Sequence, residues 1–219
     1  NDLSSNNSYT TFNVTSTVQA WANGASNLGW VLYTDGNEWS VASSENGTSA
    51  YRPLLTINYT APTPPAVDLN GGVIGTGYSA SYIENTPVNI ASSTLATVTA
   101  GTNGASPNLS GMTVTISNIQ NAGLESLLAD VTGTNISKSY NAATGVLTLN
   151  GSDTAANYQK VLRTIQYDNA SDHPSTTTRT INFVAMDPYG GNSATATASV
   201  TVTRVNDAPV ITSDGGGAT

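Results

Sequence analysis

Three large rings, Trp30, Tyr33 and Trp39, flank the turn-forming run Asp35-Gly36-Asn37. That spacing predicts two paired strands, 29–34 and 39–43, with the rings near one another. Exposed rings stack on sugar faces, so the trio is a candidate carbohydrate platform. The same alternation puts Trp30 and Leu32 on one face, as a small sandwich needs for its core. Both readings stand at this point. Ser171, Asp172 and His173 hold the three side-chain types of a nucleophilic triad, but they are adjacent. A triad needs side chains converging from separate elements, so a loop turning at His173-Pro174 is expected instead. The chain has one His and no Cys, which excludes multi-His and thiolate metal centres and a thiol nucleophile. Its 14 acids show no acid-rich strand end flanked by aromatics, whereas glycoside hydrolysis needs two facing carboxylates. No glycine-rich loop follows a strand and opens a helix. No catalytic residue is assigned, and a non-enzymatic protein is expected.

The 219 residues carry 6 Lys+Arg against 14 Asp+Glu, a formal net charge of −8. So few cations cannot neutralise a run of phosphates, and nucleic acid is not an expected partner. No apolar run is long enough to span a bilayer, so no membrane insertion is expected. Ser (25), Thr (33) and Asn (24) dominate while only 9% of residues are charged. Thr and Val favour half-buried strands. An acidic, Cys-free β protein of this composition is expected outside the cell or on a bacterial cell surface.

The elements that would position these groups fall into two regions. All three Trp precede residue 40, and Ala61-Pro62-Thr63-Pro64-Pro65 follows. Clustered prolines make 61–65 a short stiff linker between domains 1–60 and 66–210. In the first domain, strands are expected at Tyr9 to Val14, 29–34, 39–43 and Leu54 to Tyr59. A helical turn after Thr15-Ser16-Thr17 would bury Val18 and Trp21. Four strands in sixty residues make a small core with open edges, so the rest of this domain is expected upstream or in a partner. In the second domain, strands are expected at Tyr78 to Ile83, Val88 to Ile90, Met112 to Ile116, Arg163 to Tyr167, Arg179 to Met186 and Ala194 to Val205. Tyr140 to Leu149 reads as a hairpin. Ala155 to Leu162 reads as a helix capped by Asp153 or Thr154, with Tyr158 and Leu162 on one face. Seven or more strands over this length predict a β-sandwich.

Phe12 through Gly24, Gly29-Trp30-Val31-Leu32, Ser43-Ser44-Glu45 and Arg52 through Tyr59 together resemble, in order, the C-terminal third of a DNRLRE domain. The resemblance covers residues 8–60 and implies a partial jelly-roll β-sandwich. Val67 through Gly71, Tyr82-Ile83-Glu84-Asn85, Tyr140 through Gly151, Tyr158 through Asn169, Arg179-Thr180-Ile181 and Val205 through Val210 resemble a bacterial cadherin-like repeat of surface adhesins. The resemblances imply an all-β chain, a partial jelly roll followed by a cadherin/immunoglobulin-like β-sandwich. Residues 211–219 would begin a linker to a further domain. The cadherin-like resemblance implies calcium ligands at Glu84, the Asp187 loop, Asn206 and Asp207, gathered at one pole. The usual Asp-x-Asp pair has no counterpart in Thr97 through Asn103, which weakens such a site, because Ca²⁺ takes six to eight oxygens. Acids capping turns are the plainer account of Glu84, Asp187 and Asp207. The implied function is a structural or adhesive segment of a large secreted bacterial protein, a spacer or assembly module that could build a filament or sheath. Its partners would be neighbouring domains of the parent chain, or a copy of itself by strand addition. The alternative is a carbohydrate-binding accessory module of a polysaccharide-degrading enzyme, with a glycan as partner.

Overall fold

A computed structural model describes residues 11–31, 44–59, 63–102 and 108–208. The chain divides into two compact units, Asn1–Tyr59 and Thr60–Thr219.

In the first unit the described residues hold one helix, α1 (Thr15–Ala22), and a 3₁₀ turn at Ser49–Tyr51. Helix α1 begins directly after Val14, and the Asn13 Oδ1 accepts from the Thr15 N–H at 3.0 Å. The capping oxygen is thus on Asn13, ahead of the expected Thr-Ser-Thr run. Val18 and Trp21 are half-buried rather than core. The strands expected at 29–34 and 54–59 are irregular over 29–31 and 54–59, and residues 11–14 are irregular too. Leu54 is 88% and Tyr59 80% exposed. Among the described residues no backbone pairs with them, and strand propensity without a neighbouring ladder does not make a strand. The strand expected at 39–43 lies outside the described residues.

The second unit is an all-β sandwich with one helix on its flank. Its strands are β1 (Ala66–Asp68), β2 (Tyr78–Ile83), β3 (Val88–Asn89), β4 (Thr97–Thr99), β5 (Asn108–Ile116), β6 (Glu125–Leu128), β7 (Ser137–Asn141) and β8 (Val146–Thr154). Helix α2 (Ala155–Leu162) precedes β9 (Gln166–Asn169), β10 (Arg179–Met186) and β11 (Ala196–Thr203). One layer is six-stranded, in the order β2-β11-β10-β5-β8-β7; a three-stranded sheet β3-β9-β6 and the pair β1-β4 complete the structure. All pairings are antiparallel except β11 with β2.

Period-2 patterning drives this arrangement. Along β11, Ala196, Ala198, Val200 and Val202 are buried while the intervening residues are exposed. Along β10, Arg179, Ile181, Phe183 and Ala185 point inward. These side chains meet Tyr82, Val114, Leu147 and Leu149 of the same sheet, and Leu127 and Tyr167 of the smaller one. Tyr82 and Tyr167 meet edge to face with centroids 5.2 Å apart, a favoured aromatic geometry. The β7–β8 hairpin turns at Gly145, whose φ of +66° suits a residue without Cβ. A Cβ there would also come within 2.9 Å of Ile119 Cδ1.

Helix α2 has the expected bounds. Thr154 Oγ1 caps it by accepting from the Asn157 N–H at 3.2 Å, and Tyr158 and Leu162 are buried. It fastens β4 to the sandwich: Gln159 Oε1 accepts from the Val98 N–H, and Arg163 Nε donates to the Ala96 carbonyl. No helix among the described residues is long and apolar enough to cross a membrane.

Candidate functional site

The chain's turns place the expected metal ligands at two ends of the sandwich. Strands β2 and β11 run parallel with Ile83 beside Thr203, so Glu84, Asn206 and Asp207 leave at the same end. Strand β10 is antiparallel to β11, with Phe183 beside Ala196. Asp187 therefore lies past the opposite end of β11, an eight-residue strand about 25 Å long at the usual rise. The single pole expected for the four residues is not what the register builds.

At the first end, Glu84 is 3% exposed. Its N–H donates to the Thr203 carbonyl at 3.1 Å, and its Oε2 accepts from the Val205 N–H at 2.8 Å. The carboxylate thus staples the departing strand to β2. Its second oxygen, Oε1, is buried without a hydrogen-bond partner, which is costly for a carboxylate. Asn206 and Asp207 are exposed, and Asn206 Nδ2 donates to the Asp207 carbonyl at 3.4 Å. Among the described residues, no three His, Cys, Asp or Glu side chains converge to hold a metal ion. The orphaned Glu84 oxygen fits a cation; the ligand count falls short of what calcium takes from protein alone.

At the other end, Asp187 Oδ1 accepts from the Tyr189 and Gly191 N–H groups, both at 2.8 Å. Ser110 Oγ donates to the Asp187 carbonyl at 2.8 Å. These bonds organise the β10–β11 turn, the capping role acids commonly play in loops.

Of the aromatic trio, Tyr33 and Trp39 lie outside the described residues. Trp30 is 43% exposed and packs on Trp21 with centroids 4.6 Å apart and planes tilted by 44°. His173 is exposed in a loop, and its N–H donates to Ser171 Oγ. That hydroxyl is engaged with backbone, so the three neighbours form a turn rather than a triad.

The densest cluster of ionisable groups is internal. Arg179 is fully buried and its Nε is paired with Glu125 Oε1. Its terminal nitrogens donate to the Ser175 and Thr177 carbonyls and to Asn121 Oδ1. Glu125 Oε1 also accepts from Tyr167 Oη at 2.9 Å, and Oε2 from the Gln120 N–H at 3.0 Å. Tyr140 Oη donates to the Glu125 carbonyl at 2.8 Å, and Tyr82 Oη to the Asn169 carbonyl at 2.7 Å. Burial, reinforced by the Glu125 charge, pushes the Tyr167 phenol well above its ordinary value. Burial and nearby Asp153 raise Tyr158 to about 12. The bonds of this network run among its own side chains and the adjoining backbone. One sequence signal pointed to it: Arg179 stands in phase with the inward-facing Ile181, Phe183 and Ala185.

No family model matches the chain. It is similar to Halomucin of Haloquadratum walsbyi (strain DSM 16790 / HBSQ001), with 36% identity over 117 residues. The match covers 48% of this chain and 1% of that relative, so this chain corresponds to a very small part of a very long protein.

Proposed function

We propose that the chain is a non-enzymatic structural segment of a large secreted bacterial surface protein, with a cadherin-like sandwich serving as a spacer. One observation carries this reading: the second unit receives the chain at one end and releases it at the other. Thr63 is bonded to Thr102 through backbone and hydroxyl groups. Ala96 lies beside Arg163 and Val98 beside Gln159, so β4 heads toward the start of α2. That start adjoins Asn108, which pairs with Thr154. The exit past Thr203 is at the far end, where Glu84 staples Val205. Tension between these points loads the six parallel β2–β11 residue pairs along their length, in shear. The likeness to a stretch of a very long protein supports the same reading. Single-molecule pulling between Thr63→Cys and Asp207→Cys tests it in a chain that has no other thiol. The spacer reading expects one high-force rupture of the second unit. Gradual unzipping at low force would sink it.

Two finer features belong to the proposal. Glu84, with Asn206 and Asp207, is the calcium candidate, supported by the orphaned Oε1; calcium there would neutralise a buried carboxylate and stiffen the exit. Self-association by strand addition would use Leu54 to Tyr59, an exposed segment rich in strand-forming residues that pairs with no strand among the described residues. The exposed sheet edge β7 carries Lys138, which opposes pairing there. A carbohydrate-binding accessory role keeps one supporting observation, the half-open Trp30 ring seated on Trp21. Loss of glycan binding in Trp30→Ala with the fold retained would favour it.

A further inference from the structure

Three of the chain's six Lys and Arg residues, Lys138, Lys160 and Arg163, gather around one loop of an otherwise acidic protein. The loop is 129–134, between β6 and β7. Lys138 Nζ donates to the Ala129 carbonyl and Lys160 Nζ to the Thr132 carbonyl. Thr164 Oγ1 accepts from the Asp130 N–H at 2.9 Å. The loop is thus pinned from β7, from α2 and from the segment after α2, and it forms one wall of an open cleft. That cleft has a volume of about 480 Å³ and is lined by Asn89, Leu128, Ala129, Asp130, Arg163, Thr164 and Gln166. Ligand sites usually fall between roughly 300 and 1,000 Å³.

The floor is a single transverse row of the three-stranded sheet. Asn89 of β3 is in register with Gln166 of β9, which is in register with Leu128 of β6. Residues directly opposite share a face, and the alternate row, Val88, Tyr167 and Leu127, turns inward. Two carboxamides therefore lie side by side on the open face, each able to donate and to accept. At the rim, Arg163 caps the end of α2, and its Nε is held by the Ala96 carbonyl. This contact orients the guanidinium and leaves its two terminal NH₂ groups for a ligand. Asp130 is the one acid in the lining, and it is held in its charged form by hydrogen bonds from Thr132 and by Lys160 and Lys138. Arg163 balances Asp130 within the lining, and Lys138 and Lys160, bonded to the carbonyls of Ala129 and Thr132, add positive charge along the same loop.

We propose that this cleft binds an acidic saccharide, with a carboxylate on Arg163 and ring hydroxyls on Asn89, Gln166 and Asp130. A guanidinium engages a carboxylate through two parallel hydrogen bonds. Paired amides with one carboxylate suit hydroxyls, which both donate and accept. Leu128 is the only large apolar residue in the lining, which gives a peptide side chain little to bury. The inference is independent of the spacer reading, because a spacer can carry such a site or lack it.

The test is calorimetric titration of the whole chain, at low ionic strength, with short oligogalacturonates. Their methyl esters and poly-glutamate are the comparison probes. The proposal expects binding of the acid form, at least tenfold weaker binding of the ester, and little binding of poly-glutamate. Arg163→Met should weaken binding at least tenfold, and Gln166→Ala severalfold with unchanged thermal stability. Should Arg163→Met fold poorly, Gln166→Ala and Asn89→Ala carry the test alone, since both side chains lie on the open face. No binding at millimolar concentration, equal binding of acid and ester, equal binding of poly-glutamate, or indifference to the amide variants would each overturn it.

Discussion

Replacing Glu125 by Leu should be among the most destabilising single changes in the second unit. The carboxylate is buried and answers three donors: Arg179 Nε, Tyr167 Oη and the Gln120 N–H. Without it, Arg179 keeps its bonds to Ser175, Thr177 and Asn121 but holds a full positive charge with no counter-ion and no exposure. Removing one partner of a buried pair costs about 3–5 kcal/mol. For a unit of this size, each kcal/mol shifts the melting temperature by about 2–4 °C, so the expected fall is roughly 6–20 °C. The assay is urea and thermal denaturation followed by circular dichroism. Glu125→Leu/Arg179→Met removes both charges and should be more stable than Glu125→Leu alone, giving a coupling energy above about 1 kcal/mol. A loss below about 1 kcal/mol for Glu125→Leu, or strict additivity, would refute the reasoning. Either result would mean that the guanidinium finds water or another anion in solution.

Above pH 10 the unfolded chain ionises its tyrosines while Tyr158, raised to about 12, and Tyr167, raised further by burial, stay protonated. Stability should be full below pH 10 and fall as pH rises toward 12, with phenolate absorbance appearing together with unfolding; Tyr158 and Tyr167 titrating near 10 in the folded chain would contradict this. At the acid end, burial alone would raise Asp153, but hydrogen bonds from Asn135, Asn157 and Thr154 outweigh it and lower its pKa. Its contribution is present above the ordinary Asp range and lost as pH falls through the depressed value, so Asp153→Asn should flatten the acid limb of the stability curve. Should Glu84 hold calcium, a hundredfold excess over Kd stabilises the fold by about 2.7 kcal/mol. Chelator should then lower the melting temperature, and Glu84→Gln should abolish that shift; no response to chelator removes the calcium assignment for this chain. Leu55→Lys/Ile57→Lys should abolish concentration-dependent association seen by light scattering, and a native chain monomeric at every concentration would end the strand-addition proposal.

Elements whose residues alternate over many positions were legible from sequence. Strand β10 runs over the expected Arg179 to Met186, and α2 over the expected Ala155 to Leu162. Strands β1, β4 and β6, three or four residues each, were missed, while the still shorter β3 fell within the expected Val88 to Ile90. Leu54 to Tyr59 failed in the opposite sense: its pattern is right, but no neighbouring strand pairs with it among the described residues. Residue type alone gave Asp187 and Glu84 the same role. The register separates them, because an antiparallel neighbour reverses which end of the sheet a loop occupies. The cleft floor was invisible to sequence, since Asn89, Leu128 and Gln166 meet only through cross-strand pairing.

The tyrosines explain why so many functional-looking groups are consumed by the fold. Tyr82, Tyr140, Tyr158 and Tyr167 each place a ring in or against the core and spend the hydroxyl on a carbonyl or carboxylate. A buried ring with a satisfied hydroxyl fixes both depth and orientation, which an aliphatic side chain cannot do. In a sandwich built largely of small Thr, Ser and Ala residues, these anchors and the Glu125–Arg179 pair set the register between the two sheets. The groups left to meet a ligand are those the register sends outward, the Asn89–Gln166 row and the Arg163 rim.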